Sequence, residues 1–412
     1  MATNHQPPPS GLEAHRFPAE PWRLVETEYS PDDLGHTETL FCVGNGYLGM
    51  RANPEEGRDA HTHGTYINGF HETWEIQHAE NAYGFAKVGQ TIVNVPDAKL
   101  IKLYVDDEPL LLGRADLEHY ERSIDFRTGL LVRDLLWRTP GGKRVRVHST
   151  RMVSMAERHL AVMTFEVTLL DTHAPVVISS QILNRQDGED EYHVRDAALG
   201  EADPEHDPRK ASQFEQRVLL PAAQHDHTAR GRGDVILGYT CANSRMTLAC
   251  GYRHEIETPS RFTATTEVDA DIAKTVVEAY AEPNVPITIT KYVSYHTSTG
   301  VPCEELVDRC SRTLQRASQT GVPALRDEQV DVLDRFWEAA DVEIVGDESA
   351  QQAMRWNLFQ LAQASIKTQE QGIAAKGVSA GGYDGHYFWD TEVYVVPFLA
   401  YTDPIAARKL MR

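Results

Sequence analysis

Between residues 143 and 155 the chain reads KRVRVHSTRMVSM, and polarity changes at every second position. Val145, Val147 and Ser149 share one side; Arg144, Arg146 and His148 share the other. Successive side chains of a strand point to opposite faces, so this alternation predicts a half-buried β-strand. HLAVMTFEVTLL (159–170), APVVISSQIL (174–183), DVILGYTC (234–241) and ITITKYVSYHTS (287–298) have the same texture. Gly, Asp and Pro punctuate these runs, and TPGGKR (139–144) supplies a turn between two of them. Such spacing between about residue 36 and residue 300 predicts antiparallel sheets packed as a large β-sandwich. HVRDAALGEADPEHDPRKASQ (193–213) is charged and irregular and reads as an exposed insertion.

The period changes near Thr299. CEELVDRCSRTLQRAS (303–318) places Leu306, Cys310, Thr313, Leu314 and Ala317 at helical spacing, and Pro302 suits a helix start. GVP (321–323) breaks that helix. RDEQVDVLDRFWEAA (326–340) carries Val330, Leu333, Phe336 and Trp337 on one stripe. SAQQAMRWNLFQLAQASIKTQ (349–369) carries Met354, Leu358, Leu361, Ala362 and Ile366, with Ser349 as its expected N-cap. Strands come first and helices follow, without strand–helix–strand alternation. The expected fold class is therefore α+β and multidomain, not a doubly wound sheet.

A chain of 412 residues has room for two or three domains. Hydrophobic residues make up 41% and charged residues 25%, ordinary for a globular protein with a sizeable core. The formal net charge of −21 disfavours nucleic acid and anionic membranes, which select basic faces. Five cysteines, with no CxxC among them, fit a reduced, cytoplasmic setting. MATNHQPPPSGLEAHRF has no apolar signal region, and residues 1–20 read as a disordered tail. No uninterrupted apolar run is long enough to predict a transmembrane helix.

Three patterns suggest chemistry and fail on context. FCVGNGYLGMR (41–51) contains G-x-G-x-x-G at Gly44, Gly46 and Gly49. Pro54 and Gly57 interrupt the helix that a pyrophosphate needs, so a glycine-rich turn between strands is expected instead of a dinucleotide site. His61 and His63, and His225 and His227, form H-x-H pairs, but no third ligand stands at a telling spacing, so no metal is expected. Cys303 and Cys310 lie two helical turns apart and read as core residues.

GGYDGHYFWDTEVYVVPF (381–398) is different. A glycine-rich turn delivers His386, Tyr387, Phe388, Trp389, Asp390, Thr391 and Glu392 to the start of an apolar run. An indole face can cover the C–H side of a sugar ring while a neighbouring carboxylate accepts from its hydroxyls. The same residues also fit a helix N-terminus, with Asp390 as N-cap, Glu392 favourable to the dipole, and Phe388 and Trp389 in the core. Composition leaves both readings open.

AAKGVSAGGYDGHYFWDTEVYVVPF (374–398) resembles the entry to the catalytic domain of glycoside hydrolase family 65. ETLFCVGNGYLGMRANPEEG (38–57) and RFWEAADVEIVGDESAQQAMRWNLFQLAQ (335–363) resemble further segments of that family, in order and spacing; TYINGFHETWEI (65–76) is a weaker match. The resemblance implies an N-terminal β-sandwich (21–299), a helical linker (300–345) and, from 346 to 412, the beginning of a truncated (α/α)6 barrel. It implies an inverting α-glucoside phosphorylase that cleaves a glucose disaccharide with inorganic phosphate to β-glucose 1-phosphate. The alternatives are an inverting hydrolase of the same family and an inactive carbohydrate-binding fragment. The family's Trp-Asp pair at the non-reducing glucose site maps to Trp389 and Asp390, with His386, Tyr387, Phe388 and Glu392 as neighbours. Its general acid, a glutamate, matches no position here and is expected downstream of Arg412. The family implies no metal or organic cofactor, and a homodimer when full length.

Overall fold

The computed structural model describes residues 12–57, 60–76, 78–80, 82–184, 217–228, 233–368 and 371–411. The insertion expected at 193–213 and the first eleven residues of the tail lie outside these. The tail expected to be disordered through residue 20 is ordered from residue 12 onward. Phe17 is buried, and Arg16 reaches back to pair with Glu26 at 2.5 Å, which ties the segment down.

Among the described residues the chain forms three antiparallel sheets. The ten-stranded one runs from Ala19–Glu20 through Arg23–Glu26, Asp116–Asp125, Leu130–Arg138, Arg144–Val153, Leu160–Leu169, Ile287–Ser298, Thr247–Glu257 and Asp234–Cys241 to Leu219–Asp226. A five-stranded sheet contains Ala174–Leu183 at its centre, and a four-stranded one consists of Val43–Gly44, Leu48–Met50, Thr65–Glu75 and Val88–Asn94. The alternation read at 144–149 holds: Val145 and Val147 are buried while Arg146 is exposed. The TPGGKR turn closes this hairpin, with Gly142 at φ 82°.

The large sheet buries both faces. Leu135, Val147, Phe165 and Ile289 pack against Ile101, Val176 and Val277 of the five-stranded sheet. Val153, Ala161, Leu237, Cys250 and Val293 join the core under the four-stranded sheet. Their strand neighbours Met152, Leu160, Ile236, Ala249 and Tyr292 point the other way and receive a helix.

Six α-helices are α1 (Leu34–Leu40), α2 (Cys303–Thr320), α3 (Val322–Ala340), α4 (Glu348–Ser365), α5 (Val396–Thr402) and α6 (Pro404–Leu410), counted among the described residues. The GVP break is real but short. Gly321 at φ 79° ends α2, and Pro323 sits in the first turn of α3, where a missing N–H costs nothing. So α3 begins four residues before the expected start. α2 buries Leu306, Val307, Cys310, Leu314 and Ala317 on the large sheet. Each fully buried leucine there is worth about 1.5–3 kcal/mol of transfer free energy. Cys303 and Cys310 are free and buried, as their spacing suggested; burial pushes the thiols up to about 11 and about 12.

α4 departs from expectation in two ways. Its N-cap is Asp347, whose carboxylate accepts from Ala350 N at 2.9 Å, not Ser349. Its buried face is largely polar: Gln351, Gln352, Arg355 and Gln363 are buried alongside Leu358, Phe359 and Ala362, whereas Met354 is exposed. Gln352 donates to Arg23 O at 2.7 Å, Arg355 to Pro21 O at 3.3 Å, and Gln363 to Cys42 O at 3.3 Å while accepting from Gly44 N at 2.6 Å.

Candidate functional site

The glycine hairpin is the floor of the site. Val43–Gly44 pairs with Leu48–Met50, so the G-x-G-x-x-G sequence is a turn between strands. Asn45 Oδ1 accepts from the amides of Tyr47 and Leu48 at 3.0 and 2.9 Å, and Gly46 takes φ 93°. A Cβ on Gly49 would run into the Val378 carbonyl, so glycine there lets the later chain lie directly on the hairpin.

That later chain, residues 371–391, is a strap laid across the four-stranded sheet. Arg51 Nη1 holds its middle by donating to Ser379 O at 3.1 Å. Gly382–Gly385 is a single tight turn in which Tyr383 and Asp384 adopt φ 55° and 56°. Left-handed backbone at non-glycine residues costs of order 1 kcal/mol or more, so the surroundings must impose it. They do so from the sheet: Asp384 lies 3.5 Å from Thr91 Oγ1, and a His386 ring nitrogen lies 2.8 Å from Gln90 O. That ring nitrogen carries the proton, since a carbonyl only accepts.

Tyr387 is the next anchor. It bridges Ala374 in backbone pairing, and Ala375 N donates to His386 O at 3.1 Å. Its ring lies against Gly372, and its hydroxyl donates to Asn68 Oδ1 at 3.1 Å. Burial raises the Tyr387 phenol above its ordinary value, so it remains a donor at neutral pH. Four residues on, Thr391 is buried and its hydroxyl reaches Ile373 O at 3.4 Å. Between these anchors Trp389 is 80% exposed and Phe388 42%, with Phe388 edge-on to Tyr383 at 5.5 Å. Asp390 and Glu392 are exposed as well.

The helix-start reading of this cluster is therefore half right. Asp390 occupies the N-cap position of a π-helical turn, Thr391–Val395, that leads into α5, but its side chain makes no cap bond. Trp389 and Phe388 are not core. The strap leaves His386, Tyr387, Phe388, Trp389, Asp390 and Glu392 exposed within seven residues of chain, aromatic rings among carboxylates. These groups can stack on and hydrogen-bond a polyol.

A cleft of about 380 Å³ lies between α4, the glycine hairpin and the strap, lined by Cys42, Gly44, Asn357, Gln360, Lys376 and Ser379 among others. Trp389 and Asp390 do not line it. The H-x-H pairs do other things. His63 lies 3.7 Å from the Asp97 carboxylate, and His225 and His227 stack at 4.0 Å. Among the described residues no three His, Cys, Asp or Glu side chains gather as a metal site, and no helix is long and apolar enough to cross a membrane.

Sequence reasoning missed Asn68, Gln90 and Arg51, which fix the strap from the sandwich. The stretch TYINGFHETWEI, which contains Asn68, was the signal that could have found one of them.

The model of the glycosyl hydrolase family 65 N-terminal domain matches residues 24–336, and that of the family 65 central catalytic domain matches residues 355–412. An uncharacterized glycosyl hydrolase of Mycobacterium tuberculosis is 37% identical over 396 residues, covering 96% of this chain and 48% of that protein. An alpha,alpha-trehalose phosphorylase of Thermoanaerobacter brockii is 34% identical over 399 residues, covering 96% of this chain and 49% of that protein. A solved structure described as "Putative kojibiose phosphorylase from human microbiome" shares the fold with a TM-score of 0.82 at 23% identity, covering 96% of this chain and 49% of that one. The chain thus spans about half the length of the curated relatives it matches.

Proposed function

The chain belongs to glycosyl hydrolase family 65, and we propose that it serves an inverting α-glucoside phosphorylase. Inorganic phosphate attacks the anomeric carbon of a glucose disaccharide from the face opposite the departing oxygen, giving β-glucose 1-phosphate and a free sugar. The observation that carries this reading is the Trp389–Asp390 pair, held out between two anchors in a chain 34% identical to a trehalose phosphorylase.

In this reading residues 346–412 open an (α/α)6 barrel beside the 21–299 sandwich and the 300–345 linker. Trp389 covers the C–H face of the non-reducing glucose, and Asp390 accepts from its hydroxyls. His386, Tyr387, Phe388 and Glu392 flank the ring. Protonation of the leaving oxygen falls to a glutamate in the half of the relatives' length that this chain does not span. Phosphate takes the place of a base-activated water, so one carboxylic acid suffices. The enzyme acts in the cytoplasm as a homodimer, with no other cofactor, and the 412-residue chain is inactive by itself.

The test uses a product spanning the relatives' full length, incubated with trehalose, kojibiose and maltose, with and without phosphate. Glucose 1-phosphate formed only when phosphate is present supports the reading. Glucose released equally without phosphate overturns it in favour of a hydrolase. Trp389→Ala is expected to lower kcat/KM by about 10- to 100-fold through loss of ring contact.

A further inference from the structure

Trp389 and Asp390 make few contacts of their own, so something else must set where they point. Asn68 is buried at 2% exposure on the strand Thr65–Glu75, in the sandwich. Its Nδ2 donates to Gly46 O at 3.0 Å and to Gly372 O at 2.9 Å. Its Oδ1 accepts from the Tyr387 hydroxyl at 3.1 Å, and its own amide donates to Tyr47 O at 2.8 Å. One side chain thereby joins the glycine hairpin, the start of the strap and the strap's last anchor before Trp389.

We propose that Asn68 is a positioning residue for substrate binding, acting through the Tyr387 hydroxyl to fix the Trp389–Asp390 presentation; this rests on the sugar-site reading above. Both amide hydrogens of Asn68 are already used within the protein, so the side chain has no donor left for a ligand. Its contribution is geometric. The backbone from 387 to 391 is pinned at one end by Asn68 through Tyr387, and at the other by Thr391 on Ile373 O. Loosening the first pin leaves Tyr387 on its backbone bridge to Ala374 and gives the exposed pair more play about the second. Gly69, next in the strand, takes φ 77° where the Gln371 amide packs closely, so the sheet at this point is shaped to receive the strap. A ring contact made equally in ground and transition states governs binding more than turnover, so the loss should fall on KM.

The experiment measures disaccharide kinetics on the complete enzyme for Tyr387→Phe, Asn68→Ala and the double variant, with Trp389→Ala as reference. Tyr387→Phe removes one oxygen from a partly exposed ring and leaves the fold in place. It is expected to raise KM about fivefold, with kcat within about twofold of the parent. Asn68→Ala is expected to raise KM about tenfold or more, and the double variant to be no worse than Asn68→Ala, because both cut the same link. A KM unchanged in Tyr387→Phe and Asn68→Ala, while Trp389→Ala is impaired, overturns the positioning role and leaves the sugar site standing. Trp389→Ala with parental kinetics overturns the sugar site itself. Strictly additive effects in the double variant also overturn the coupling.

Discussion

Helices α2 and α4 each have 18 residues and each lie on the sandwich, but α4 adds a set of buried polar contacts to its apolar ones. α2 buries Leu306, Val307, Leu314 and Ala317 against side chains of the large sheet. α4 buries Leu358, Phe359 and Ala362 too, but adds Gln351, Gln352, Arg355 and Gln363, which reach Val342 O, Arg23 O, Pro21 O and Cys42 O, with Arg355 also on the Asp341 carboxylate at 2.8 Å. Apolar burial is non-directional and scales with area; a hydrogen bond demands a partner at one place and angle. α2 is thus held strongly and α4 is held specifically. The helix that leads into the strap is the one whose register is fixed by donors and acceptors.

The largest test of this contrast is Leu314→Ala in α2, a fully buried position. It should cost about 2–5 kcal/mol, read as a fall in the denaturation midpoint at unchanged m-value. Acid should act next and on the same helix. His159 and His296 stack at 4.0 Å beneath α2, with His296 3.0 Å from Thr313 Oγ1. Burial, aided by Arg158 at His159 and by His159 itself at His296, lowers them to about 4 and about 2. Below about pH 6.5 the unfolded chain takes up protons that the folded pair refuses, so stability is whole above that pH and drains away towards pH 4. A loss of about 2–3 kcal/mol per histidine between pH 7 and 4.5 is expected, and replacing both histidines by glutamine should flatten it. The side-chain amides of Gln351, Gln352 and Gln363 on α4 carry no titratable proton in that window. Gln363→Leu should cost about 1–2 kcal/mol by leaving Gly44 N and Cys42 O without their partner, and should loosen amide exchange in the hairpin before any global change. Met354→Ala should be smallest, within about 0.5 kcal/mol, because that side chain stands at the surface; a cost above about 1.5 kcal/mol would restore the apolar stripe.

Met354 also marks the limit of what the sequence disclosed. Periodicity found the strands, because burial on one face of a sheet leaves an imprint at every second residue, as at Val145 and Val147. It found α2 for the equivalent reason. On α4 it found Leu358, Ala362 and Ile366, which join the core, but also chose the exposed Met354 and missed Gln351, Gln352, Arg355 and Gln363, since a hydropathy pattern registers an apolar stripe and is blind to glutamines paired with distant carbonyls. The cluster at 386–392 was visible by composition and by family resemblance. Its supports were not. Asn68 and Tyr387 are 319 residues apart, and nothing in either neighbourhood announces the other. Arg51 follows the glycine turn with nothing local to mark it, yet it is buried against Glu38 at 3.2 Å and reaches Ser379.

The contacts of α4 set a timetable as well as an orientation. Gln352 finds its acceptors 334 and 329 residues earlier, at Pro18 and Arg23. Loop closure over such a distance adds little to the equilibrium cost, but it orders events in time. In a chain made from its N-terminus at roughly 5–20 residues per second, the short edge strands at Ala19–Glu20 and Arg23–Glu26 wait roughly 15–65 seconds for this partner. Until then this edge of the ten-stranded sheet is uncovered, a row of backbone groups open to pairing with a strand of another chain.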